Sequence, residues 1–99
     1  MDDSAKESVI RDAIKQQRVV LIVLDGVELH FKPHILYRSP GAHRVRVAGF
    51  AKERAGGVID RPVTKITSVE LTNSSFRPDV TFDSSEGGYE NIICRVEYG

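Results

Sequence analysis

The sequence predicts a mainly β domain with one N-terminal α-helix, folded as a five-stranded, strongly bent antiparallel β-barrel. Three observations carry this. The one amphipathic helical stripe is confined to residues 5–16. The remainder breaks into short runs of alternating or consecutive apolar residues separated by turn signals. Five short strands left as a flat sheet would expose two edges and a bare face, and curling into a barrel with the helix as cover removes both problems.

The helix comes first. Ser4-Ala5-Lys6-Glu7 has the capping-box pattern, in which the Ser hydroxyl accepts from the third helical amide and the Glu reaches back to the cap amide. Ala5, Val9 and Ala13 follow at four-residue spacing, joined by Ile10 and Ile14. These place a helix over about residues 5–16.

The strands follow in order. Residues 18–24 are β-branched and apolar at consecutive positions, as in a strand buried on both faces. Asp25-Gly26 is the favoured pair for a two-residue type I′ hairpin. Val27, Leu29 and Phe31 then alternate with Glu28, His30 and Lys32, which reads as a strand with one wet face. Pro33 lacks an amide donor, so it ends the strand, bends it or sits at an edge. Ser39-Pro40-Gly41 is a turn, and residues 43–50 form the third strand, with Val45 and Val47 inward and Arg44 and Arg46 outward. Ala55-Gly56-Gly57 marks a loop. Residues 63–71 form the fourth strand, in which Val63, Thr67, Val69 and Leu71 share a parity that Ile66 breaks. Residues 72–91 are turn-rich and read as irregular. The fifth strand carries Ile92, Cys94, Val96 and Tyr98 in alternation with Ile93, Arg95 and Glu97. The expected core is Leu29, Phe31, Val45, Val47, Val69, Cys94 and Val96, with Val9, Ala13 and Ile14 from the helix.

Length and composition bound the function. Ninety-nine residues make one domain, spanning 1–99, and 40% hydrophobic with 28% charged residues excludes a disordered chain. Fourteen Lys and Arg balance 14 Asp and Glu, so the sum of charge names no partner. Its distribution says more. Residues 28–46 carry Lys32, Arg38, Arg44, Arg46 and all three histidines against Glu28 alone, whereas residues 73–90 are acidic. The single Cys94 excludes an internal disulfide and a multi-cysteine zinc site. The longest apolar run, residues 19–24, is too short to span a bilayer, and the acidic start is unlike a signal peptide, so a cytoplasmic protein with no membrane partner is expected.

Three segments resemble those of the WYL domain, a bacterial regulatory module with an Sm-like barrel. Ala13-Ile14 followed by the apolar strand over residues 19–23 is similar to the opening of that domain. Phe31-Lys32-Pro33-His34-Ile35-Leu36 resembles its hydrophobic-x-Pro-His-x-Leu element, and Thr64-Lys65-Ile66-Thr67-Ser68-Val69 its Asp-Arg-Ile-x-x-Val element. Phe76 stands where an aromatic commonly follows. The Trp-Tyr-Leu triplet that names the family falls at Val45-Arg46-Val47 and is absent, and Leu24 stands in place of the usual Tyr. WYL domains usually follow a helix-turn-helix DNA reader. A single predicted helix leaves no room for one, so the resemblance implies a stand-alone version. It also implies a sensor role in transcription regulation, with nucleic acid or another negatively charged ligand bound through Lys32, His34, Arg46 and Lys65.

The residues themselves point to the same region. Alternation puts His30 and Lys32 on the outward face of one strand and Arg44 and Arg46 on that of the next. If the two strands pair, these make one basic patch suited to phosphates, with Tyr37 and Arg38 beside it. The competing reading is a solvated face whose charges only keep the protein soluble. His30, His34 and His43 lack acidic or thiol partners at ligand spacing, so they read as exposed or structurally bonded and no metal is expected. Asp79 and Asp83 lack the ligand density of a calcium loop, Gly56-Gly57 and Gly87-Gly88 read as turns, and Ser74, Ser75, Ser84 and Ser85 have no local histidine. No catalysis and no cofactor are therefore expected. Two functions remain open: a regulatory module binding a nucleotide, nucleic acid or other anionic ligand through the patch, and a protein-interaction or homodimerisation module using strand edges and the acidic loop 73–90.

Overall fold

The computed structural model describes residues 2–41, 44–82, 89 and 91–96, with residues 55 and 56 described by backbone alone. Its elements run α1 (Asp3–Gln16), β1 (Arg18–Leu24), β2 (Val27–Arg38), β3 (Val45–Ala51), β4 (Arg54–Pro62), a 3-10 turn (Val63–Lys65), β5 (Ile66–Ser75) and β6 (Ile92–Arg95). The start expected for the third strand at His43, the acidic residues Asp83, Glu86 and Glu90, Ser84, Ser85, Gly87-Gly88 and the strand end at Glu97 and Tyr98 lie outside the described residues. No helix among the described residues is long and apolar enough to cross a membrane.

Helix α1 begins earlier than the capping box suggests. Asp2, not Ser4, is the N-cap, and its carboxylate accepts from the Ala5 N–H at 2.7 Å. A carboxylate at a helix N-terminus also meets the positive end of the helix dipole, which favours it over a neutral hydroxyl. Ile10, Ala13 and Ile14 are buried, and Val9 packs half-buried against them. Lys6 is buried as well. Its ammonium pairs with Asp3 at 2.8 Å and donates to the carbonyls of Ile66 at 2.8 Å and Val63 at 3.4 Å, tying the helix to the 3-10 turn.

Among the described residues the sheet is antiparallel and has six strands in the order β4-β3-β2-β1-β5, with β6 added to β2. Among these residues it is not closed: β4 and β5 are its ends. Asp25 and Gly26 have φ of 53° and 76°, so the expected type I′ hairpin between β1 and β2 is present. Strand β1 is not buried on both faces. Val20, Ile22 and Leu24 enter the core, while Leu21 and Val23 stay half-buried on the other side.

Strand β2 organises the rest. It does not stop at Pro33 but continues to Arg38 through a bulge between Pro33 and Ile35. One edge pairs with β1 over its first half and with β6 near its end, while the other pairs with β3. Pro33 falls between the β1 and β6 pairings, where a missing amide costs least. The bulge inverts the parity of the strand. Leu29 and Phe31 face the core before it, and Leu36 faces the core after it. Ile35 and Tyr37 are turned to the outer face. Gly49 lies opposite this bend, and a Cβ there would come within 2.1 Å of the Lys32 carbonyl oxygen, so the close approach requires glycine.

The expected loop Ala55-Gly56-Gly57 and the start of the segment 72–91 expected to be irregular both fall in strands. Residues 54–62 pair with β3 as β4, despite two glycines and a proline, and β5 runs on to Ser75. The broken parity at Ile66 also has an explanation. The 3-10 turn carries the chain from Val63 to Ile66, and a bulge between the Val23–Ser68 and Leu24–Ile66 pairs skips Thr67, so Val63, Ile66 and Val69 all enter the core, while Thr67 and Leu71 are exposed. Of the expected core, Leu29, Phe31, Val47, Val69, Val96, Ala13 and Ile14 are buried, and Val45 and Cys94 pack half-buried against them. A second apolar cluster of Ile35, Tyr37, Ala48 and Phe82, with Phe50 and Tyr89, covers part of the outer face that alternation alone marks as wet.

Candidate functional site

The residues singled out from the sequence divide into two groups along β2. His30 and Lys32 lie towards the β3–β4 turn, with Lys32 opposite Phe50. Arg46 lies opposite Tyr37, and Arg44 precedes it at the other end of the pair. Four to five residues at about 3.3 Å each separate Lys32 from Arg46, roughly 13–16 Å. Antiparallel register thus keeps these side chains on one face but does not gather them into one compact patch.

At the first end, His30 is exposed and engaged. Glu53, in the β3–β4 turn, receives the His30 backbone N–H on Oε1 at 2.8 Å and the ring Nδ1 on Oε2 at 2.5 Å. These bonds hold the Glu53 carboxyl below its ordinary range. Lys32 is half-buried, and its carbonyl accepts from His34 Nδ1 at 2.8 Å.

His34 is enclosed and does not reach the surface. Tyr37 is also buried, with its hydroxyl donating to Asp60 Oδ2 at 2.5 Å and its ring edge-on to Tyr89 at 4.9 Å. Burial, and then the Asp60 carboxylate, push the Tyr37 phenol up to about 12. Both residues therefore lie beneath the surface of the structure.

At the second end, Arg46 Nε donates to Asp60 Oδ1 at 3.0 Å and its Nη2 to the Asp60 carbonyl at 3.4 Å. The guanidinium is half-exposed and fixed by one residue through two of its nitrogens. Arg44 and Arg38 are exposed on either side of the hairpin, which is closed by Ser39 N–H to Arg44 carbonyl at 2.8 Å. Arg38 lies opposite Val45 and so leaves the strand on the other parity from Tyr37. Arg61, opposite Val47, is exposed on the neighbouring strand. Lys65 is exposed in the 3-10 turn, three residues beyond Pro62, which pairs with Arg46.

No family model, curated protein or solved structure matches the chain. The geometry therefore stands by itself. Sequence reasoning missed Asp60, Glu53 and Arg61. Asp60 and Arg61 lie in β4, between the expected third and fourth strands, so neither had a place on the sheet. The available signal was alternation: Asp60 and Pro62 share the parity that pairs them with Ala48 and Arg46. Among the described residues, no group of three His, Cys, Asp or Glu side chains converges as a metal site. A groove of about 540 Å³ lies elsewhere, between the end of α1 and β6, lined by Ile14, Lys15, Gln17 and residues 92–95.

Proposed function

We propose that the protein is a non-catalytic regulatory module that binds an anionic ligand, a nucleotide or a nucleic-acid phosphate, at the arginine end of the β2–β3 pair. One observation carries the reading: Asp60 orients Arg46 through Nε and Nη2, so its guanidinium is held in place before any ligand arrives. Preorganised arginines lose less rotamer freedom on contact with phosphate than free ones. Arg44 adds exposed charge beside it, whereas Arg38 leaves the strand on the other parity, and His30 and Lys32 sit too far along the strand to share one small ligand. The resemblance to WYL domains supports the same ligand class. A bent sheet in the order β4-β3-β2-β1-β5, after a helix, is also what curling toward an Sm-like barrel requires, and this fold belongs to the proposal.

The test is fluorescence anisotropy with labelled single-stranded DNA, RNA and free nucleotides at low and physiological salt. Binding should weaken steeply with salt, because neutralised phosphates release counterions. The double variant Arg44→Ala with Arg46→Ala, both on the outer face, should lose about tenfold in affinity and flatten the salt slope. His30→Ala should leave both unchanged. Intact binding in the arginine variant sinks the reading.

A second reading has its own support. The sheet is open, and the outer edges of β4 and β5 have no strand partner among the described residues. Edge pairing with a protein partner or a second copy is the function this suits. It separates from the first in sedimentation experiments: association through edges persists at high salt, where phosphate binding is lost.

A further inference from the structure

Residues 76–82 form a strap that leads from Phe76, in the main core cluster, to Phe82, in the outer one, and one side chain beneath joins strap to sheet. His34 lies in the bulge of β2 with 0% of its surface exposed. Its ring stacks on Phe76 at 5.2 Å and meets Phe50 at 5.0 Å and Phe82 at 5.3 Å. Both ring nitrogens are occupied. Nδ1 is 2.8 Å from the Lys32 carbonyl oxygen, and Nε2 is 2.9 Å from the Asp79 backbone nitrogen. A carbonyl only accepts and an amide N–H only donates, so Nδ1 carries the proton and Nε2 offers its lone pair. The surroundings specify the neutral imidazole in one tautomer.

We propose that His34 is a proton-operated latch: the neutral ring holds residues 76–82 on the sheet, and protonation at Nε2 releases the strap and uncovers the aromatic face at Phe50. A second proton has one place to go, Nε2, where it points at the Asp79 N–H and replaces a hydrogen bond with two opposed donors. Two charged groups act on the ring. Lys32, from its own strand, opposes a cationic ring, and Asp79, from the strap, favours it. The strap otherwise presents Phe76 and Phe82, β3 presents Phe50, and the β6 side contributes the Val96 N–H to the His34 carbonyl, none of which titrates. The Asp79 carboxylate is already held in its own turn, accepting from the Thr81 N–H at 2.8 Å and hydroxyl at 2.6 Å. Swinging it toward Nε2 requires that turn to move, which is the release itself.

Burial outweighs the other influences and holds the His34 imidazole below its ordinary value. A histidine freed of the strap therefore takes its proton first, near the ordinary value of about 6.5. The closed strap is fully stable above that pH, loses stability as pH falls through it, and goes on losing until the folded-state value is passed.

The test follows the His34 ring nitrogens and the Asp79 amide protection factor by NMR in the wild-type chain, from about pH 8 to about pH 5, with the Ile22 amide as core reference. Asp79 protection should fall at least about tenfold as the ring protonates, while Ile22 changes less than about twofold. His34→Gln keeps an acceptor near Nε2 without titrating, so its Asp79 protection should be flat with pH. Should that variant not fold, the wild-type titration decides alone. Ring protonation without loss at Asp79, equal loss at Asp79 and Ile22, or an unchanged pH response in His34→Gln each overturns the latch.

Discussion

Gly49 and Tyr37 illustrate how single positions hold the bend of β2. Any Cβ at position 49 enters the Lys32 carbonyl at 2.1 Å, and the obstacle is backbone, which cannot rotate aside. Gly49→Ala should therefore destabilise the protein by about 2 kcal/mol or more, read from urea denaturation. A loss under about 0.5 kcal/mol would mean that β2 and β3 do not approach as described. Tyr37 makes a different prediction. Its phenol ionises at about 12 in the folded chain, against 10.0 when free. Above pH 10 the unfolded chain gives up this proton and the folded one keeps it, so stability should fall as pH rises from about 10 to about 12. Burial also raises the Tyr89 phenol, so Tyr37→Phe should remove one of the late-titrating tyrosines from the phenolate absorbance, along with the alkaline loss that goes with it.

At the level of elements, the helix and the first hairpin were legible because their signals are local. A 3.6-residue apolar stripe buries one face wherever the helix docks, and Asp-Gly supplies the positive φ that a two-residue turn demands. The cap was misread by two residues because Ser4 and Asp2 both satisfy cap chemistry, and only the position of the Ala5 amide distinguishes them. Asp2→Ala should cost about 1 kcal/mol, whereas Ser4→Ala should fall within about 0.5 kcal/mol of wild type. Equal losses would restore the capping box. Strand β4 was not legible. Its glycines, Asp60 and Pro62 argue for a loop, and it is a strand because β3 offers it a ladder of backbone partners. With β4 went Asp60, and with Asp60 the reason Arg46 stands where it does.

For the whole molecule, Phe31 is the test of how the parts cohere. It is among the largest fully buried side chains, on the core side of the strand that pairs with β1 and β3. Phe31→Ala should cost about 3–5 kcal/mol, a large share of the roughly 5–10 kcal/mol expected for a domain of this size. A loss under about 1 kcal/mol in thermal or urea unfolding would show that the parity before the bulge is inverted.

What the sequence determined by itself are the features that depend on near neighbours: a helix capped at its N-terminus, a type I′ turn, and alternation that sends Leu29 and Phe31 inward and His30 outward. The candidate arginines were legible too, as residues and as a face. Their grouping was not. Alternation states which side of a strand a residue takes, but only pairing states which residue of another strand lies beside it, and one bulge at Pro33–Ile35 reverses the side for everything that follows. The tertiary structure therefore decided that His34 and Tyr37 are buried, that the outer face is partly apolar, that Lys32 and Arg46 stand apart, and that the sheet stays open among the described residues. Each of these is fixed by contacts between residues far apart in the chain, where a local pattern carries no information about register.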